Sequence, residues 1–344
     1  MDLISSLLIL GVVLVAVFDF TNGFHDAADM VATAIASRAM KPGMAIGIVT
    51  LFTFIAPFTL GLAVANTVGT LVHVEAVSSI EGETLVIAAL LAAVSYNLVT
   101  WWLGYPSSSS NSLAGGLVGA GLYSVGSTQI AWGISALQNG QLQGMTKVVA
   151  GLFVSPFLGF VIGFLVMKLF LLLFRRATEK VSPLFVASQY LSVAWLGFSH
   201  GANDSQKGMA IIGMLLLASG TTTTFAIPLW VIFLCASAIT LGTLFGGWRI
   251  IKTLGFGLFH VKITHSVANQ LGSALVNSIA TLGGAPTSTT QVVTATLLGN
   301  GAAEKPQHVK WQTARGIVAG WFMNVPVSIA LGWLYCFLFL KLWG

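Results

Sequence analysis

The chain has 344 residues, of which 15 are Lys or Arg and 10 are Asp or Glu, so the net charge is +5 while only 7% of residues are charged and 56% are hydrophobic. A soluble domain carries ~25% charged residues, and a water-facing surface cannot be assembled from what is left here; an all-α integral membrane protein is the class that fits. The positive balance does not indicate a nucleic-acid partner, and two cysteines in separate apolar runs, Cys235 and Cys336, suggest neither a disulfide framework nor a thiolate metal site.

In chain order, apolar runs long enough to cross hydrocarbon lie at about 3–20, 44–66, 84–103, 145–174, 226–247, 263–282 and 316–340. Asp2 stands where a secretory signal would be basic, so the first run is expected to be a retained span. Segments near 27–38 and 185–219 are interrupted by polar motifs. Two Ser/Thr-rich segments, near 105–122 and 285–301, are apolar only in their second parts. Letting each complete a crossing, with 3–38 and 184–219 each crossing once, gives five crossings per half.

The positive-inside rule supports that count. With the N-terminus outside, Arg38, Lys41, Arg175, Arg176, Lys180, Arg249, Lys252, Lys262, Lys305, Lys310 and Arg315 all face the cytoplasm. Glu75, Glu81 and Glu83 fall in an external loop, Lys147 and Lys341 are exceptions, and both termini are outside. An odd number of crossings makes the second half enter from the opposite side, the mark of an inverted repeat.

The halves are related in sequence. Asn22-Gly-Phe-His-Asp-Ala-Ala-Asp29 aligns with His200-Gly-Ala-Asn-Asp-Ser-Gln-Lys207 at an offset of 178, matching Gly23 with Gly201 and Asp26 with Asp204. At an offset of 180, Pro106-Ser-Ser-Ser-Ser-Asn111 aligns with Pro286-Thr-Ser-Thr-Thr-Gln291, Asn97 with Asn277 and Gly119 with Gly299. The expected organisation is a first transmembrane repeat over 1–175, a short basic cytoplasmic linker over 176–183 and a second, inverted repeat over 184–344.

His25, Asp26 and Asp29 cluster in an otherwise apolar segment, with Asp19 two helical turns before Asp26. Each charge at the bilayer centre costs at least ~2.5–3.5 kcal/mol on insertion scales. A repeated acid flanked by glycine and amide reads as a broken helix whose carbonyls, carboxylate and amide oxygens coordinate a small cation. That reading assigns the coupling cation to His25, Asp26, Asp29, Asn203 and Asp204, with sodium at Asp26 and Asp204 if the cation is a metal. His25 and His200 are proton carriers or hydrogen-bonded structural histidines.

The Ser/Thr runs supply hydroxyls, an amide and helix N-termini, which favour an anion. Ser107, Ser108, Ser109, Ser110 and Asn111, with Thr287, Ser288, Thr289, Thr290 and Gln291, form the expected clamp. Lys207, at the repeat position of Asp29, is expected either to pair with it, to share the charge of the anion, or to snorkel to an interface. There is no phosphate-binding Gly-x4-Gly-Lys-[Ser/Thr] loop, zinc-binding His-Glu-x2-His helix or Gly-x-Ser-x-Gly elbow, so an enzyme and a resident cofactor are not indicated.

The segments Gly23-Phe-His-Asp-Ala-Ala-Asp-Met-Val-Ala-Thr-Ala-Ile-Ala-Ser-Arg-Ala-Met40 and Gly201-Ala-Asn-Asp-Ser-Gln-Lys-Gly-Met-Ala-Ile-Ile212 resemble the inorganic phosphate transporter (PiT) family, and the Ser/Thr segments strengthen the match. The resemblance implies a secondary symporter of inverted-repeat build, with re-entrant hairpins at the Ser/Thr segments, usually dimeric, coupling phosphate to sodium or protons. Two departures bear on the site. The first copy is Gly-Phe-His-Asp where sodium-coupled members carry Gly-Ala-Asn-Asp, which favours protons, and Asp29 stands where members usually have asparagine. The central hydrophilic insertion of some members is missing.

The expected function is therefore import of inorganic phosphate across the cytoplasmic (inner) membrane in symport with a cation, H+ before Na+. Transport of another tetrahedral oxyanion such as sulfate, or a passive anion channel, are the alternatives.

Overall fold

A computed structural model of the chain describes residues 2–105, 107–246, 255 and 257–343. Pro106, Arg249 and Lys252, which entered the sequence reading above, lie outside the described residues. The described residues form helices α1 (Leu3–Ala36), α2 (Pro42–Ile55), α3 (Ala63–Gly69), α4 (Ser79–Leu103), α5 (Ser109–Ser124), α6 (Ile134–Gln138), α7 (Gly144–Leu173), α8 (Ser182–Ala218), α9 (Leu229–Phe245), α10 (Ile263–Leu282), α11 (Thr289–Glu304) and α12 (Trp311–Trp343).

Among the described residues, α1, α4, α7 and α12 are long and apolar enough to cross a membrane, and α2 with α3, bent at 74°, makes a fifth candidate. Their outer faces expose large apolar side chains such as Trp102, Phe157, Leu172 and Phe322, as a lipid-facing surface requires. Two of the ten crossings counted from the sequence do not stand as spans. The Ser/Thr segments end in α5 and α11, each of 16 residues, which at 1.5 Å per residue span about 24 Å, less than the ~30 Å of hydrocarbon. Both begin at buried residues, so they start inside the protein instead of at an interface.

The breaks expected at the two signature motifs are also absent. Asn22 to Asp29 lies inside the unbroken 34-residue α1 and His200 to Lys207 inside the unbroken 37-residue α8. Their backbone carbonyls stay in the helical ladder, so only side chains are free to act. A break does occur at Ala56–Leu62, where Pro57 cannot continue α2. Glu83, expected in an external loop, is buried in α4, whose first turn is fixed by a capping box between Ser78 and Glu81. Both cysteines are buried in packing contacts and do not face lipid.

The packing repeats between the halves. α1 lies along α9 as α8 lies along α2, and α5 lies along α12 as α11 lies along α7. Close approach depends on matched glycines. A Cβ at Gly23 would fall 2.0 Å from the Ile239 carbonyl oxygen of α9, and one at Gly201 would fall 2.4 Å from that of Thr53 in α2. At Gly119 the distance to the Ile329 oxygen of α12 is 2.0 Å, and at Gly299 that to the Phe160 oxygen of α7 is 2.1 Å. Helix association in lipid relies on such small-residue contacts because no hydrophobic driving force separates helix from lipid.

These contacts predict that Gly119→Val and Gly299→Val each lower stability by at least ~1–3 kcal/mol through overpacking against backbone. Gly316→Ala, where nothing lies within 4 Å of the added carbon, should leave it unchanged. Thermal unfolding in detergent checks both.

Candidate functional site

The site is built where the middles of α1 and α8 meet the N-termini of α5 and α11. Ser108 and Ser288 are the N-caps, with nearly identical backbone angles (φ −110°, ψ 109° and φ −105°, ψ 107°). Each side-chain hydroxyl accepts from the backbone N–H three residues on, at 3.1 Å from Asn111 and 3.3 Å from Gln291. The two turns touch directly, since Ser110 Oγ donates to the Thr287 carbonyl at 2.7 Å.

Asparagines hold the turns in place. Asn203 on α8 accepts from the Thr287 backbone N–H at 3.0 Å and donates to Thr281 Oγ1 at 2.9 Å and the Ala285 carbonyl at 3.2 Å. Asn277 on α10 accepts from Thr287 Oγ1 at 3.2 Å. In the other half, Asn97 accepts from Ser112 at 3.2 Å, and Asn324 donates to the Ser108 carbonyl at 2.8 Å. Ser107 bonds Thr100 at 2.6 Å.

The charged groups meet between these turns. Thr290 Oγ1 lies 2.9 Å from Asp26 Oδ1 and is also hydrogen-bonded to Asp29. His25 Nδ1 is 3.2 Å from Asp26 Oδ1. His200 Nδ1 sits 3.1 Å from Asp204 Oδ2 and 3.9 Å from Asp26 Oδ2, bridging the two halves. Thr289 donates to Asp204 at 2.9 Å and lies 3.2 Å from His200 Nδ1; its repeat counterpart Ser109 donates at 2.6 Å to Asn22, the counterpart of His200. Two trios, His25–Asp26–Asp29 and Asp26–His200–Asp204, bring donor atoms within 4.8 Å of one another and could hold a cation.

Lys207 does not pair with Asp29. It forms an ion pair with Asp204, three residues earlier on the same face of α8, and donates also to Ser110 and to the Thr287 carbonyl. It does not snorkel either, being 1% exposed. The pairing with Asp204 follows from helix geometry, because positions three apart lie side by side.

All the residues expected at the site are buried, but their tasks differ. Ser107, Ser108 and Ser288 hold the turns, Ser109 meets Asn22, and Ser110, Thr289 and Thr290 meet the charged groups. The carboxamide of Asn111 and Gln291 Oε1 are buried without a hydrogen-bond partner among the described residues. Asn22 and Thr281 were not singled out from the sequence, nor was Gln206, which accepts from the Val64 and Ala65 backbone N–H groups at 2.9 and 3.1 Å and so caps α3. Asn97 and Asn277, matched at the repeat offset in the sequence, carry the turn-holding role that the match alone did not specify.

A polar centre sealed within helices that expose apolar side chains to lipid defines a membrane transport protein. The sequence profile described as PHO4, Phosphate transporter family, matches residues 22–332, and the chain belongs to that family. It is 38% identical over 333 residues to the "Probable low-affinity inorganic phosphate transporter" of Rhizobium meliloti (strain 1021), covering 96% of each chain. A protein of the same name from Bacillus subtilis (strain 168) is 36% identical over 334 residues, covering 96% of this chain and 97% of that one. A solved structure titled "The sodium-dependent phosphate transporter" superposes with a TM-score of 0.86 at 25% identity, over 98% of this chain and 100% of that one. These relatives are transporters, not enzymes.

The paired caps carry a stability prediction. Ser108→Ala and Ser288→Ala should each destabilise by about 0.5–2 kcal/mol and by similar amounts, because each removes the same capping bond. Unequal losses beyond that range in detergent unfolding would show that the two turns are not equivalent.

Proposed function

We propose that the protein imports inorganic phosphate through the cytoplasmic membrane together with a cation, and that the cation is the proton. The observation that carries this reading is the meeting of two hydroxyl-bearing helix N-termini, one from each half, on a shared cluster of buried charged groups, carboxylates at α11 and the Lys207 ammonium at α5. Helix N-termini with serine and threonine hydroxyls suit a phosphate that must also leave. Carboxylates beside them keep the anion out until positive charge arrives, which is the requirement of symport and not of a channel.

A count of hydrogens supports the proton. Thr290 has one hydroxyl hydrogen and contacts both Asp26 and Asp29. It donates to one carboxylate, so the other contact needs a hydrogen on the carboxyl side. A proton shared across Asp26, Thr290 and Asp29 meets that need. His25 and His200, on Asp26 and Asp204, are placed to deliver it. The sodium-dependent solved relative supports sodium as the second reading. The two halves, divided near the basic stretch 176–183, act as inverted units around the site, with both termini outside.

The test is labelled phosphate uptake in proteoliposomes, with proton and sodium gradients imposed separately and sulfate as competitor. A proton gradient alone should drive accumulation, and sulfate should not compete; strict sodium dependence would refute the proton, and purely downhill flux would indicate a channel. Asp26→Asn and Asp204→Asn should abolish driven uptake. Thr290→Val should reduce it roughly ten- to hundredfold, from the ~1.5–3 kcal/mol of a hydrogen bond to a charged group, and Thr290→Ser should restore most of it.

A further inference from the structure

The repeat places Lys207 where the first half has Asp29, Ser110 where the second has Thr290, and Asp204 opposite Asp26. In both halves the three corresponding groups are in contact. Thr290 joins Asp26 and Asp29 in one, and the Lys207 ammonium joins Asp204 and Ser110 in the other. The ammonium also reaches the Thr287 carbonyl oxygen at 2.7 Å. Its three N–H donors therefore meet one carboxylate, one hydroxyl and one backbone carbonyl, with none left over. Three oxygens of these kinds are the ligand set that a hard cation takes from a protein.

We infer that the Lys207 ammonium is a tethered cation occupying one of two repeat-related cation positions, so that a mobile cation is needed only at the other, formed by His25, Asp26, Asp29 and Thr290. The pairing is lopsided in the same sense. Asp204 has an ammonium on its own helix, with the buried Asp19, packed against Gly208, as the further carboxylate on that side, whereas Asp26 and Asp29 face Thr290, His25 and His200. A tethered charge also cannot leave with the anion. It keeps Asp204 compensated through the cycle, while the Asp26 side alternates between compensated and not. This inference rests on reading the site as a cation-coupled anion site.

Sodium is the probe, measured on the purified full chain without phosphate and without a gradient, so the result stands whether or not uptake is observed. Equilibrium dialysis with radioactive sodium should give no more than one ion per wild-type chain. Lys207→Gln should bind one more than wild type and acquire a saturable rise in unfolding temperature with NaCl that is absent with N-methylglucamine chloride. Lys207→Arg, which keeps the charge, should bind as wild type does. Asp204→Asn combined with Lys207→Gln should lose the extra ion. A folded Lys207→Gln protein that binds no additional sodium, or a gain in Lys207→Arg, would overturn the inference. Should Lys207→Gln fail to fold, two or more ions on the wild type would overturn it equally, and one or none with an unchanged Lys207→Arg would uphold it.

Discussion

Asp26, Asp29 and Asp204, two imidazoles and an ammonium are buried where α1 and α8 cross the N-termini of α5 and α11, with Asp19 buried beside them between α1 and Gly208 of α8. Charges removed from water are tolerated only when each is paired and hydrogen-bonded. The rest of the architecture follows from that constraint. α11 starts in the interior because its first turn supplies hydroxyls to the carboxylates, and α5 because its first turn meets Asn22 and the Lys207 ammonium. Asn203, Asn277 and Asn324 exist in their positions to hold those turns, and the glycines on α1 and α8 let α9 and α2 close around the buried segment. Separating any of these elements would leave a charge without its partner, so the polar centre and the apolar packing stand or fall together.

Duplication gives the site two similar sides, and substitution makes them unequal. The backbone of the two Ser/Thr turns, their caps and their glycine contacts are nearly the same in each half. The side chains that differ are those that set charge: His25 against Asn203, Asn22 against His200, Asp29 against Lys207. An exactly symmetric site would hold the same charge on both sides. Here one side carries an ammonium, Lys207, where the other carries a carboxylate, Asp29, and we infer that this gives binding of a cation a preferred side.

Much of this was legible in the sequence because repetition converts weak signals into strong ones. Asp26 and Asp204, the Ser/Thr runs and Asn97 with Asn277 all align at a nearly constant offset, and the structure brings their surroundings to one place. The helix breaks were misplaced for a physical reason. Glycine, asparagine and aspartate in a row are poor helix formers in isolation, yet in α1 and α8 each has a tertiary partner, and an unbroken ladder leaves no backbone group unsatisfied in the membrane interior. The crossings were overcounted because apolar length alone does not distinguish a span from a short helix that begins inside the protein. Symmetry offers Asp29 as one partner for Lys207, while the local three-residue spacing to Asp204 decides the pairing.

The account stands on phosphate and the cation sharing one site, and linkage makes that measurable without a membrane. If they bind together, each must raise the affinity of the other by the same factor. Equilibrium binding of labelled phosphate to the purified protein, repeated across a range of pH with affinity expressed against the concentration of one phosphate ionisation state, and across sodium concentration at fixed pH, tests this most directly. The predicted result is affinity that tightens as protons are added in the wild type and loses that dependence in Asp26→Asn. Tight phosphate binding that is indifferent to both protons and sodium would contradict a shared site.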